Sequence, residues 1–202
     1  MTSAPQRKDA ARNRERIVAV ARELVDEGAP LQLNDVARRA HLGVGTVYRH
    51  FPTAEALLET VATPGLEALA ACGEQAPADD DPGRALARFL TRTVEAQVTD
   101  ASLATVTAAA TDTLPRTTEL KRILRAAGGQ LLDRAHAAEA VRADLTGDDL
   151  VPLMCGIVYA ANVRSGTADR VGTARRYLAS LLDGLHLAAA EQRQPAVRDK
   201  PA

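Results

Sequence analysis

Two short helical patterns stand only two residues apart. Asn34-Asp35-Val36-Ala37-Arg38-Arg39-Ala40 is followed by His41-Leu42 and then by Gly43-Val44-Gly45-Thr46-Val47-Tyr48-Arg49-His50-Phe51, which ends at Pro52-Thr53. So tight a turn between two helices is the form of a helix-turn-helix, whose second helix fits the DNA major groove. Within that second helix Val47 and Phe51 share one face at i and i+4, which turns Thr46, Tyr48, Arg49 and His50 largely outward. Upstream, Ile17, Val20, Ala21, Leu24 and Val25 recur at helical spacing up to Gly28, a C-terminal stop. Val36, Ala37 and Ala40 then have an apolar face to pack on.

The rest of the chain reads as all-α. Runs of period two in β-branched and aromatic residues are absent, and aromatics make up only 2%, so Ala, Leu and Val must fill the core between close-packed helices. With 202 residues the chain is long enough to bury a sizeable core. After a polar, mobile start over residues 1–9, helices are expected over about 10–27, from 54 onward, and over 82–98, 102–110, 120–140, 148–164 and 168–190. Leu57, Leu58 and Val61 stripe the fourth helix, and Pro64-Gly65 predicts a kink or break near 60–64. Residues 73–82 read as a loop in which Asp79-Asp80-Asp81 is solvated. Gly128-Gly129 serves close packing or a bend. The organisation expected is a small N-terminal three-helix domain over 1–62, carrying the helix-turn-helix, and a larger helical domain over 63–202.

Charge is concentrated rather than abundant. The net charge is −1, yet Arg7, Lys8, Arg12, Arg14 and Arg16 face only Asp9 and Glu15 near the N-terminus, and local charge matters more than the sum for a nucleic-acid partner. Cys72 and Cys155 form no CxxC, which suits a reduced, cytoplasmic setting. No apolar run approaches the ~18 residues of a membrane helix, so no membrane partner is expected. His41, His50, His136 and His186 lack metal spacing, Cys155 and Met154 read as core, and no nucleophile, paired-carboxylate or phosphate-loop pattern stands out. Neither an enzyme nor a cofactor is expected.

The last two helices carry more apolar surface than one core needs. Val171, Ala174, Leu178, Leu181, Leu185 and Ala188 alternate three and four apart, while Leu150, Leu153 and Ile157 form one stripe and Val151, Met154 and Val158 another. One stripe covers the core. The seam over Val171–Leu185 together with Leu150, Leu153 and Ile157 is expected to meet a second subunit in a four-helix homodimer interface.

The run from Asn34 to Ala40, then Gly45-Thr46-Val47-Tyr48-Arg49-His50-Phe51-Pro52-Thr53 and Glu55-Ala56-Leu57-Leu58, resembles the N-terminal signature of the TetR family of transcriptional repressors at every apolar position. The resemblance implies that Thr46 and Tyr48 touch phosphates or base methyls and that His50 touches phosphate. Val44 and Gly45 stand where the family's base-reading residues stand. Arg49 is placed to reach phosphate or a guanine edge, and Asn34 offers a contact from the second helix. Three positions depart from the pattern: His41 replaces the turn glycine and must adopt a left-handed backbone or shift the turn, Gly43 replaces the hydroxyl cap, and Ala54 replaces a phosphate-binding lysine.

The family normally senses a small molecule in a cavity of the C-terminal domain. Leu69, Phe89, Thr93, Val106, Leu124, Met154, Val158 and Tyr159 are candidates for its wall, with Tyr159 and Asn162 as the polar orienting groups. The function implied is a ligand-responsive regulator, a repressor, that binds a near-palindromic double-stranded DNA operator as a homodimer and is released by a small-molecule effector. The alternative is a helical dimeric module that binds a small molecule or protein and no longer binds DNA.

Overall fold

In the computed structural model the backbone is described for residues 4–75, 79–164 and 169–191, and side chains for 8–75, 79–164 and 169–185. Among these residues every regular element is a helix: α1 (Ala4–Asp26), α2 (Leu33–Arg39), α3 (Val44–His50), α4 (Ala54–Gln75), α5 (Pro82–Thr99), α6 (Ala101–Ala108), α7 (Pro115–Ala137), α8 (Gly147–Arg164) and α9 (Arg170–Glu191). None of them is long and apolar enough to cross a membrane. The side chains of Arg7, His186 and Ala188 lie outside the described residues. Two compact units form, one from the described parts of Met1–Ala70 with Ala96–Ile123, the other from those of Ala71–Glu95 with Leu124–Ala202.

In the first unit, Ile17, Val20, Ala21 and Leu24 of α1 share a core with Leu33, Val36 and Ala37 of α2, Val47 and Phe51 at α3, and Leu57 and Val61 of α4. Helix α1 starts at Ala4 rather than near Ala10, because Pro5 stands in the first turn, where its missing N–H breaks no helical bond. It ends as its glycine requires: Gly28 has φ 71°, its N–H donates to the Val25 carbonyl (3.0 Å), and Ala29 N–H donates to the Leu24 carbonyl (2.9 Å). That double bond pattern is a Schellman motif. Helix α2 closes in the same way with no glycine. His41 takes φ 52°, Leu42 N–H reaches the Ala37 carbonyl at 2.9 Å, and His41 N–H reaches that of Arg38 at 3.3 Å.

Helix α4 passes Pro64 unbroken. Of the kink or break expected near 60–64, a break is absent: Leu57 and Val61 before the proline and Leu66 after it are all buried, and that packing offsets a local cost of about 3 kcal/mol. Around it, the Val61 carbonyl accepts a hydrogen bond from Arg22 Nη2 (2.6 Å). Arg22 Nη1 also donates to Asp100 Oδ1 at 2.8 Å, and the same oxygen caps α6 by accepting from Ser102 N–H (2.9 Å) and Leu103 N–H (3.2 Å). One guanidinium thus ties α1, α4 and the start of α6 together. Helix α7 begins at Pro115, ahead of the expected 120, because the buried Glu59 carboxylate accepts the N–H groups of Thr113 (2.6 Å) and Leu114 (2.8 Å) at its N-terminus. Lys121, only 3% exposed, pairs with Asp112 and donates to the Ala109 carbonyl at 3.0 Å.

In the second unit, Leu150, Met154, Val158 and Ala161 form the buried stripe of α8. Gly128 on α7 has no room for a side chain beyond van der Waals contact: an added Cβ would lie 3.2 Å from Leu150 and 3.4 Å from Phe89. Its role is close packing. Ala174, Leu178 and Leu185 of α9 are buried as well, so four of the residues expected at an intersubunit seam, Leu150 with these three, instead belong to the chain's own core. Leu153, Ile157, Val171 and Leu181 are half-buried. The loop reading of 73–82 is corrected at its two ends and at Asp79, while 79–81 lie outside the helices and 76–78 outside the described residues. Helix α4 runs on to Gln75, and Asp79 is held by Arg84 Nη2 (2.7 Å) and Arg88 Nη1 (3.3 Å) rather than left to solvent. The Arg84 hydrogen bond, with the Asp81 N–H behind it, keeps the Asp79 carboxyl well below the usual carboxylate range.

Two predictions follow from the first unit. Burial pushes the Asp100 carboxyl up, but the hydrogen bonds from Arg22, Ser102 and Leu103 outweigh it, and its pKa is lowered on balance. A lowered folded-state pKa contributes stability above the unfolded value, near pH 4, that is lost as pH falls through the folded value. Asp100→Asn is expected to flatten the fall of unfolding free energy between about pH 4 and pH 2 without changing its slope at neutral pH; an unchanged acid limb refutes the assignment. His41→Gly is expected to raise the unfolding free energy by roughly 0.5–1 kcal/mol, since glycine adopts the left-handed conformation without a Cβ clash. A lower denaturation midpoint would show that the His41 side chain contributes more than its backbone costs.

Candidate nucleic-acid interface

A helix of seven residues has too few internal hydrogen bonds to stand alone in water. Helix α3 is held by two anchors: Val47 is fully buried and Phe51, at its C-cap, is 3% exposed. Arg14 of α1 lies over the Phe51 ring at 5.4 Å from its centroid, a cation–π contact that ties the end of α3 to the basic start of α1. At the other end Gly43 is extended (φ −64°, ψ 137°) and has no side-chain cap. Its carbonyl accepts the N–H groups of Thr46 (2.8 Å) and Val47 (3.3 Å).

With that face fixed, the opposite face follows. Val44 is 47% exposed and Tyr48 46%, Gly45 and Arg49 are exposed, and Thr46 and His50 are half-buried. A Cβ added at Gly45 would meet nothing within 4 Å, so the first turn of α3 presents backbone rather than side chain. Asn34 is exposed on α2, and it lines one shallow depression with Tyr48, Thr53, Ala54 and Glu55. All seven residues expected at this surface therefore lie on α2 and α3, outside the core. Ala54 packs partly buried against the core cluster, and Glu55 brings a negative charge to the depression where the family pattern has a lysine.

Among the described residues Arg49 makes no hydrogen bond or ion pair. The arginines of α2 are engaged: Arg38 with Asp35 and Arg39 with Glu27, each at 2.8 Å. Exposed pairs of this kind contribute little to stability. They do remove two guanidinium groups from the pool available to phosphates. On α1, Lys8 and Arg12 are exposed one turn apart, and Arg16 reaches toward the Ala40 carbonyl at 3.5 Å.

The residues expected around an effector are distributed differently. Phe89, Met154 and Val158 are buried in the second unit, with Thr93 and Leu124 half-buried there; Leu69 and Val106 are buried in the first. Phe89 and Leu150 converge at Gly128. The Thr93 hydroxyl donates to the Phe89 carbonyl (2.9 Å). Tyr159 is 72% exposed and Asn162 is exposed on α8, which corrects the expectation that they point inward: the buried stripe at 150, 154, 158 and 161 puts 159 and 162 on the far side of the helix. Sequence reasoning missed Arg14 and Arg22, whose partners are distant in the chain.

The comparisons with known proteins agree with this architecture. Residues 17–61 match the family profile described as bacterial regulatory proteins, tetR family, and residues 81–187, more than half of the chain, match that of the transcriptional regulator SbtR-like C-terminal domain. An HTH-type transcriptional regulator of Staphylococcus aureus (strain USA300) is 45% identical over 47 residues, a stretch that spans 22% of this chain and only 25% of that protein. The TetR transcriptional regulator SCO0520 from Streptomyces coelicolor is 29% identical, with a TM-score of 0.54 over 86% of this chain and 98% of its own. FadR from Bacillus subtilis, solved in complex with stearoyl-CoA, shares the fold at 17% identity, with a TM-score of 0.63 over 85% of this chain and 99% of its own. RolR, solved in complex with resorcinol, shares it at 22% identity and a TM-score of 0.59, over 96% and 98%. The chain belongs to the TetR family of DNA-binding transcriptional regulators.

Proposed function

We propose that this regulator is a repressor that binds a near-palindromic operator as a homodimer and releases it when a small molecule binds. The observation that carries the DNA half is the two-sidedness of α3, with Val47 and Phe51 buried and Val44, Gly45, Tyr48 and Arg49 exposed. In this reading α3 enters the major groove. Arg49 reaches a guanine edge or phosphate, Thr46 and Tyr48 contact phosphates or thymine methyls, His50 and Asn34 contact phosphate, and Val44 with the backbone at Gly45 abuts the base edges. Residues 1–62 form the DNA-binding domain and 63–202 the sensing and dimerisation domain. Two such helices spaced about 34–36 Å apart read successive turns of the duplex.

The dimer surface is read from what α8 leaves uncovered. Tyr159 and Val163 are 72% and 69% exposed, and Leu153 and Ile157 of α8 and Val171 and Leu181 of α9 are half-buried. Apolar side chains in that number on neighbouring helices fit a self-complementary interface. RolR and FadR were solved with small molecules bound, which supports an effector for this chain. Phe89, Thr93, Leu124, Met154 and Val158, all of the second unit, are the proposed contacts. The ligand would lower operator affinity by its preference between the two states of the dimer.

Selection of an operator from random DNA, followed by mobility shifts at stated salt, tests the DNA half. Arg49→Ala is expected to weaken operator binding by about 1–3 kcal/mol with an unchanged melting temperature; wild-type affinity would remove Arg49 from the interface. For the dimer, Tyr159→Glu is expected to shift the sedimentation coefficient of the full chain from dimer to monomer, and a variant that remains dimeric places the interface elsewhere.

A further inference from the structure

A groove of about 600 Å³ in the second unit lies between the last turn of α4 and the first half of α5. Arg84, Arg88 and Arg92 all line it. They are four residues apart on α5, so their guanidinium groups follow one face over about 12 Å of helix, and like charges at this spacing oppose one another. Asp79, with Asp81 also 3.7 Å from Arg84 Nη1, answers only part of that charge. Its carboxylate takes Arg84 through Nε (3.1 Å) and Nη2 (2.7 Å), and accepts one longer bond from Arg88 (3.3 Å). Among the described residues nothing pairs with Arg92. Beneath the arginines lie the buried Phe89 ring and the half-buried Cys72.

We propose that this groove is a binding site for a small organic carboxylate, with the carboxylate on Arg92 and Arg88 and the apolar body on Phe89 and Cys72. A planar carboxylate matches the two-pronged guanidinium, and the volume suits a molecule of roughly drug size or smaller. The charge balance selects a monoanion. Asp79, Asp80 and Asp81 match the three guanidinium groups in number, but Asp79 and Asp81 pair with Arg84 and Arg88 alone, so the one locally unanswered charge is that of Arg92, which a single carboxylate neutralises. A phosphate dianion exceeds it and would face Asp79. The site needs only the free protein, so it stands whether or not binding there releases an operator.

The test uses the full chain and two matched probe pairs, sodium benzoate with benzamide and sodium octanoate with octanamide, titrated by calorimetry. At least one acid is expected to bind tenfold or more tightly than its amide. Arg92→Gln, on an exposed position, is expected to reduce that preference to less than threefold with the melting temperature unchanged. The bound acid is also expected to slow alkylation of Cys72 by iodoacetamide, read by peptide mass, at least threefold relative to the amide. Binding of neither acid, equal binding of acid and amide, an Arg92→Gln variant that keeps the preference, or unprotected Cys72 would each overturn the proposal.

Discussion

The burial of Val47 and Phe51 is the contact on which the DNA-facing surface depends. Seven residues of helix cannot hold their own conformation, and the start of α3 has no capping side chain to help. Two apolar side chains removed from water contribute roughly 1.5–3 kcal/mol each, enough to fix both the existence of α3 and its rotation about its own axis. Rotation is the functional variable. A helix turned by one residue, about 100°, would bury Tyr48 and present Val47, and the same sequence would face DNA with the wrong set. Arg14 over the Phe51 ring secures the same anchor from α1, so the basic start of the chain and the end of the recognition helix are fixed by one aromatic residue in a chain that has only five aromatics, three Tyr and two Phe.

Buried charge then organises what apolar packing leaves undetermined. In a core made of Ala, Leu and Val, many helix pairings have similar packing energy, and directional bonds discriminate between them. Glu59 selects the start of α7 because a buried carboxylate must find donors, and the free N–H groups at Thr113 and Leu114 supply two. Arg22 selects the start of α6 by holding its cap, Asp100, while its second nitrogen satisfies a carbonyl three residues before Pro64.

The sequence made the helix-turn-helix legible because every signal for it is local: the apolar pair at i and i+4, the two-residue turn, and Gly28 at the end of α1. At His41 the sequence left two options open, a left-handed residue or a shifted turn, and the backbone takes the first. What escaped was set by partners far along the chain. Glu59 meets residues 54 and 55 positions away, and no local pattern announces such a pairing. On α8, two apolar stripes run side by side in the sequence, and the buried face takes Leu150 from one and Met154 and Val158 from the other, with Gly128 of another helix in close contact with Leu150. Ala174, Leu178 and Leu185 of the seam expected on α9 belong to the chain's own core for the same reason: spacing of three and four describes any buried helix face, whether it meets its own chain or a second copy.

The bare start of α3 has a consequence for how sequence could be read. Gly43, Val44 and Gly45 offer no side-chain donor or acceptor to a base edge, and Gly45 leaves open space where a side chain would stand. Backbone at that point can approach the duplex closely, which strengthens contact with phosphate and with thymine methyls but discriminates weakly among bases. In the proposed complex hydrogen-bonded readout would then fall to Arg49 at the far end of the helix, and the remaining discrimination would come from the deformability of the DNA between the half-sites. A recognition helix of this kind favours a short, symmetric consensus in which spacing matters more than the identity of each base.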